Sequence, residues 1–256
     1  MPIRPTWRKW FADFAEATDY LQITKVSLEF SDNADVKSVV LALYARLLSE
    51  LITGLLLADA KRDIAFRSTC RSVIECSLHL EMAESDPTYL KRLKEDDDAS
   101  RRSRAIRFRA KNPNLAKESD KTLSDFIKKV PAKSKKLQLS EHDSVLPRLT
   151  HVYRELSADT LHVSLTSIDR HLMLDRNNVN RLRIEPKVDT EDMEDAASVM
   201  ALALLNATRV LLSVVPEIKS AKGFHILQRR YVSLFRQGLR KLKKAATSSD
   251  EQAKDK

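Results

Sequence analysis

The sequence predicts an all-α protein, a single-domain helical bundle carrying one small β-hairpin insertion near residues 172–186. Apolar residues recur with a period close to 3.6 along almost the whole chain, and clusters of Pro, Asn and Asp mark the breaks. Only 3 of the 256 residues are glycine, far below the usual ~7%, which leaves few positions for hairpin turns or glycine-rich phosphate loops. A hydrophobic content of 43% is enough to bury a substantial core without disulfides or metals.

The periodicity places helices near 5–20, 35–59, 62–84, 87–111, 118–129, 145–171, 190–215 and 223–245. The first is amphipathic and, with a linker to residue 34, precedes a bundle domain at 35–246. In the fourth, Asp86 before Pro87 reads as an N-cap with Pro at the first helical position, and Ser144 can cap the sixth. Leu182 and Ile184 alternate with charged residues beyond an Asn-Asn pair, which gives the hairpin. Residues 247–256 have nothing to bury and are expected to form a disordered tail.

Composition narrows the function classes. Cys70 and Cys76 lack the paired spacing of a zinc site or disulfide framework and read as small core residues in a reducing compartment. The stretch "MPIRPTWRKWFADF" has no apolar run typical of a secretion signal, so a cytoplasmic location is expected. Residues 39–60 and 196–215 are long and apolar, but Arg46 with Glu50, and Asn206 with Arg209, fall near their middles. Charges there cost about 2.5–3.5 kcal/mol each in a bilayer, so buried helices are expected and no membrane partner. There is no Gly-x-Ser-x-Gly elbow, P-loop or dinucleotide fingerprint, and neither metal nor cofactor is expected.

The net charge of +9 is uneven. Residues 222–244 hold eight Lys/Arg and no acid, and "RRSRAIRFRAK" (101–111) follows the acidic "EDDD" (95–98). Such runs attract polyanions, which makes Arg101, Arg102, Arg104, Arg107, Arg229, Arg230, Arg236 and Arg240 candidates for a nucleic-acid backbone, although a basic run is also the ordinary form of a solvated face.

Two consecutive helices carry Arg-x-x-x-Glu, Arg46 with Glu50 and Arg71 with Glu75. On an exposed helix each is an ordinary i,i+4 pair. The helix of Arg71 is apolar on two sides, however, so it should be central and its ion pair partly buried, where charge adds little stability and points to a site. In "YRELSADTLH" (153–162), Leu149, Val152, Tyr153, Leu156 and Thr160 form one face, Arg154 with Leu161, Leu165 and Ile168 a neighbouring sector, and His151, Glu155, Asp159 and His162 the opposite stripe. That stripe is either the wet side of the helix or the wall of a cleft facing Arg71 and Glu75. In the second case His162, whose ordinary pKa is near 6.5, is the natural general acid or base.

"FRSTCRSVIECSLHL", then "YRELSADTLHVS", then "RIEP" resemble a widespread bacterial family of unknown function that pairs an Arg-x-x-x-Glu helix with a Tyr-x-x-x-Ser-x-x-x-x-His helix, over roughly 36–215. The resemblance implies Arg71, Glu75, Tyr153, Ser157 and His162 as site residues. More distantly, an Arg and a downstream His on one helix are similar to the HEPN superfamily, helical domains that often act as metal-independent ribonucleases in toxin and antiphage systems, with four to six residues between the two. Here Arg154 and His162 have seven between them, about 12 Å along a straight helix and about 80° apart around it.

The resulting expectation is a HEPN-like RNA-cleaving effector acting as an isologous homodimer, with His162, Arg71, Glu75, Arg154, Tyr153 and Ser157 at its site. The competing expectation is a non-catalytic interaction protein that binds a partner through "WRKWFADF" or the basic C-terminal helix, its polar residues fixing helix register.

Overall fold

The computed structural model describes residues 3–19, 36–130, 137, 139, 144–160, 164–174, 180–182, 184, 186, 188–216, 218 and 223–238. The expected tail at 247–256, most of the linker before residue 35, His162 and Arg240 lie outside the described residues.

The helices are α1 (Pro5–Asp19), α2 (Val36–Asp59), α3 (Asp63–Ser85), α4 (Tyr89–Lys111), α5 (Lys117–Lys129), α6 (Pro147–Thr160), α7 (Leu165–Asp169) and α8 (Thr190–Val214), followed by α9 over 224–238. Between α7 and α8, strands β1 (Leu172–Leu174) and β2 (Asn180–Leu182) pair antiparallel with Leu172 opposite Leu182. The insertion expected at 172–186 amounts to no more than this contact among the described residues, and the architecture is all-α.

α3 is the centre. It packs on α2, α8, α6 and the start of α4, and its buried residues, among them Phe66, Cys70, Val73, Ile74, Ser77, Leu78 and Glu81, cover more than half of its circumference and leave Ser68, Arg71, Glu75 and His79 on a half-buried stripe. α1 joins the same core. Trp7, Trp10, Phe11 and Phe14 follow the i, i+3, i+4, i+7 pattern and are essentially fully buried. The Trp10 Nε1–H donates to the Leu227 carbonyl of α9 at 3.0 Å, and Trp7 Nε1–H to Glu194 of α8 at 3.1 Å. "WRKWFADF" and the C-terminal helix therefore pack through these residues on their own molecule, which removes the aromatic stripe as a partner surface.

α4 and α5 form an antiparallel pair that leaves the bundle beyond the first turns of α4. Arg109 bonds Asp120 and Arg102 donates to the Ile127 carbonyl. Only Tyr89 and Ala105 of α4 are buried, and nothing in α5 is.

Local chemistry explains the joints. The α2–α3 turn is a Schellman motif, in which the N–H of Lys61 reaches the Ala58 carbonyl and that of Arg62 the Leu57 carbonyl. Lys61 there holds φ 58°, a position that glycine usually fills. Gly54 lets α2 approach α3, since a Cβ would stand 2.7 Å from Thr69 Oγ1. α4 begins at Tyr89 with Thr88, not the expected Asp86, at its N-cap, and Asp86 instead accepts the Thr88 N–H at 2.8 Å in the turn before it; Ser144 Oγ accepts the Leu146 N–H at 3.0 Å just before α6.

One expectation fails. The helix expected over 145–171 is not continuous: α6 ends at Thr160, and α7 opens with a reciprocal cap in which Ser164 Oγ accepts the Ser167 N–H and Ser167 Oγ the Ser164 N–H.

Buried Asp159 ties the end of α6 to Arg67 of α3 and to Arg170 just beyond α7. Of the two readings of the polar stripe, the wet side does not hold for Asp159, which is 6% exposed and lies between two arginines. Arg67 Nε donates to its Oδ2 at 2.9 Å and Arg170 Nε to its Oδ1 at 2.6 Å. Arg67 also reaches the Asp192 carbonyl, and Arg170 the Asp192 carboxylate, so one network ties α3, α6, the end of α7 and α8. Burial alone would depress Arg170, and its bonds to Asp159 and Asp192 outweigh that and leave its pKa raised. Removing the shared anion leaves two buried cations short of partners, so Asp159→Asn should lower unfolding stability by about 3–5 kcal/mol in urea titrations, whereas Glu155→Gln on the exposed face should leave it nearly unchanged.

Candidate functional site

α3 and α6 run antiparallel. Arg67 meets Asp159, and Arg71, one turn further along α3, meets Ser157 and Tyr153, earlier on α6. The guanidinium of Arg71 is held from three sides: its Nε donates to Ser157 Oγ at 2.8 Å, Nη1 to Glu75 Oε2 at 2.9 Å, and Nη2 to the Tyr153 hydroxyl at 2.9 Å. Its Cζ also stands 4.8 Å from the Tyr153 ring centre. Ser157 Oγ donates in turn to the Tyr153 carbonyl at 2.7 Å, so the hydroxyl is oriented before it meets the arginine.

The pair is half open to water, with Arg71 15% and Glu75 26% exposed. The Tyr153 hydroxyl is held above the ordinary phenol range, first by burial and then by the Glu75 carboxylate, against the lowering influence of Arg71. At neutral pH it is a phenol that accepts from Arg71 and keeps its own proton. A guanidinium has five N–H groups, and the bonds to Ser157, Glu75 and Tyr153 take one from each nitrogen. One N–H remains on each terminal nitrogen.

Neighbouring groups frame the cluster. His79, one turn beyond Glu75, bonds the Tyr89 hydroxyl through Nδ1 at 2.8 Å, tying α3 to α4. Cys76 is buried, and its thiol is pushed up to about 11, mainly by burial, with the charges of Arg46, Glu75 and Glu50 also felt. It is therefore no nucleophile, and the Arg46/Glu50 motif of α2 lies beside that of α3. Among the described residues, no group of three or more His, Cys, Asp or Glu could hold a metal ion.

Of the residues singled out from the sequence, the structure brings together Arg71, Glu75, Tyr153 and Ser157. His162 lies outside the described residues, and Arg154 is exposed. The cleft wall does not form as expected: His151 and Glu155 are an exposed i,i+4 pair, 71% and 57% accessible, and Leu165 and Ile168 of the second sector are exposed as well. Tyr153 and Ser157, at the edge of the first face, meet Arg71 instead.

The basic residues divide. Arg104, Arg107, Arg229 and Arg236 are exposed, and Arg101 is exposed but paired with Asp97. Arg102 bonds the Ile127 carbonyl, and Arg230 bonds Asp13 of α1, so both hold elements of the fold together. On the α4 face turned away from α5, Arg101, Arg104 and Lys111 flank Phe108, which is 51% exposed.

Sequence reasoning missed His171. An open groove of about 570 Å³ begins one turn from the cluster, at Ser68 and Thr160, and continues past Arg62 to His171 and Pro186. His171 follows α7, whose separate start at Ser164 the continuous-helix reading overlooked, and the paired serines at 164 and 167 were the signal for it.

Fold and site define a class, an all-α bundle whose central helix presents an Arg-x-x-x-Glu pair to a Tyr-x-x-x-Ser helix. The chain belongs to the family of unknown function DUF5677, whose family model matches residues 37–180, more than half of the sequence. The match takes in α2 to α7 and both motifs. No curated protein and no solved structure matches the chain.

If the Arg71 cluster is one coupled unit, its members cannot be removed independently. Arg71→Ala and Tyr153→Phe should each destabilise the protein, and the double variant should lose less than their sum by about 1 kcal/mol in a denaturation cycle.

Proposed function

We propose that this protein engages RNA and cleaves it at the Arg71 cluster without a metal. The observation that carries the reading is the oriented Arg71 guanidinium, 15% exposed and fixed by three partners, with one N–H on each terminal nitrogen left for a phosphate oxygen. A cation already held in place needs little reorganisation as charge develops, which is the condition for transition-state stabilisation.

In this mechanism a ribose 2′-hydroxyl loses its proton to a histidine and attacks the adjacent phosphorus. The bond to the 5′-oxygen breaks and that oxygen takes a proton, leaving a 2′,3′-cyclic phosphate and a 5′-hydroxyl. Arg71 holds a non-bridging oxygen, Glu75 and Tyr153 keep Arg71 in place, and His162 moves the proton, with His171 of the neighbouring groove as the second candidate for that role. Arg154 assists from the exposed side of α6. Arg104, Arg107, Arg229 and Arg236 supply salt-dependent backbone contacts, and the protein's target would be RNA of a bacterial defence or toxin system.

One observation favours the non-catalytic interaction protein: every nitrogen of Arg71 already has a protein partner, as in a network that only fixes helix register. Incubation of total RNA with wild type and folded Arg71→Ala, His162→Ala and His171→Ala variants, with and without chelator, separates the two. The proposal expects cleavage that survives chelation, leaves cyclic phosphate ends and stops in Arg71→Ala and in one histidine variant. No cleavage, or cleavage unchanged in Arg71→Ala, refutes it.

A further inference from the structure

We infer that the outer face of α2 is the contact surface for a second copy of this chain, packed antiparallel about a twofold axis near Ser49. Ala42, Ala45, Ser49, Ile52 and Leu56 are all exposed, Ile52 by 56% and Leu56 by 67%. Their spacing alternates three and four residues, which makes a straight seam along a helix, here about 21 Å long. α2 is apolar enough in length and composition to be buried throughout, yet only 39% of its most apolar window is buried, against 72% for α8. An apolar seam of this kind on a single chain is an interaction surface.

The order of residues along the seam selects its occupant. The first half is small and the second half large. A twofold axis at Ser49 sets Ala42 level with Leu56 of the second copy and Ala45 nearly level with its Ile52, so each large side chain meets a small one. A parallel pair would set large against large and leave a gap between the alanines.

Charge agrees with the same arrangement. Arg46 and Glu50 lie on one flank of the seam, Arg46 before its centre and Glu50 after it and turned further toward α3, and no ion pair joins them among the described residues, although Arg71 and Glu75 at the same spacing do pair. In an antiparallel twofold pair, Arg46 of each copy approaches Glu50 of the other, and the symmetry makes the contact twice. A membrane face is the weaker fit, because its rim would carry cations rather than a matched acid and base. The inference does not depend on the RNA reading.

The test is the mass in solution of the full chain at micromolar concentration, by sedimentation and light scattering, with circular dichroism on every variant. Wild type should have the mass of two chains. Leu56→Glu should be a folded monomer, and Arg46→Glu and Glu50→Arg should each weaken self-association ~10-fold or more by bringing like charges together. Mixed in equal amounts, the two charge variants should form a heterodimer, which no intramolecular role for these residues can produce. A monomeric wild type overturns the inference, as does a mixture that stays apart. Wild type that is monomeric in buffer but floats with anionic vesicles assigns the face to a membrane instead.

Discussion

The structure depends on the burial of α3. Packed on by α2, α6, α8 and the start of α4, α3 keeps only a narrow half-buried stripe toward water, yet it carries Arg67, Arg71, Glu75, Ser77 and Glu81. Each must find its partner inside the protein, because an unpaired buried charge costs several kcal/mol. Arg67 takes Asp159, Arg71 takes Ser157 and Tyr153, and Asn206 of α8 bonds both Ser77 and Glu81, while Ser144 donates to the other Glu81 oxygen at 2.7 Å. These bonds fix where α6 and α8 sit along α3 in a way that apolar contacts, which tolerate sliding, do not.

This explains why the candidate site lies where it does. Arg71 is near the edge of the enclosed surface, so its network is closed enough to be oriented and open enough to meet a ligand. Arg67, one turn earlier, is buried, and its network ties α6 and the end of α7 to α3 and α8 rather than offering a surface. The groove running to His171 begins between the two, and so borders both an oriented cation and a histidine.

The helices were legible because burial writes a 3.6-residue period into the chain, and the bounds of α2, α3, α5 and α8 fall within about two residues of those read from it. The centrality of α3 was legible from its apolar residues on two sides, and the motif helices from Arg71, Glu75, Tyr153 and Ser157. Asp159 was not: one acid on a polar stripe looks solvated, and its partner Arg67 is 92 residues away. The separate start of α7 was hidden because apolar periodicity runs up to it, and only the paired serines of its cap mark it. Lys61 at a left-handed position gave no signal, since its conformation follows from the turn rather than from the residue.

The central claim, that α3 is the enclosed element on which the other helices are registered, is tested most directly by native-state hydrogen exchange. The account predicts that the amides in the middle of α3 exchange only through global unfolding and are the slowest in the molecule, with α8 close behind and the α4–α5 pair exchanging far faster. Protection in α3 no greater than in α4 and α5 would contradict it.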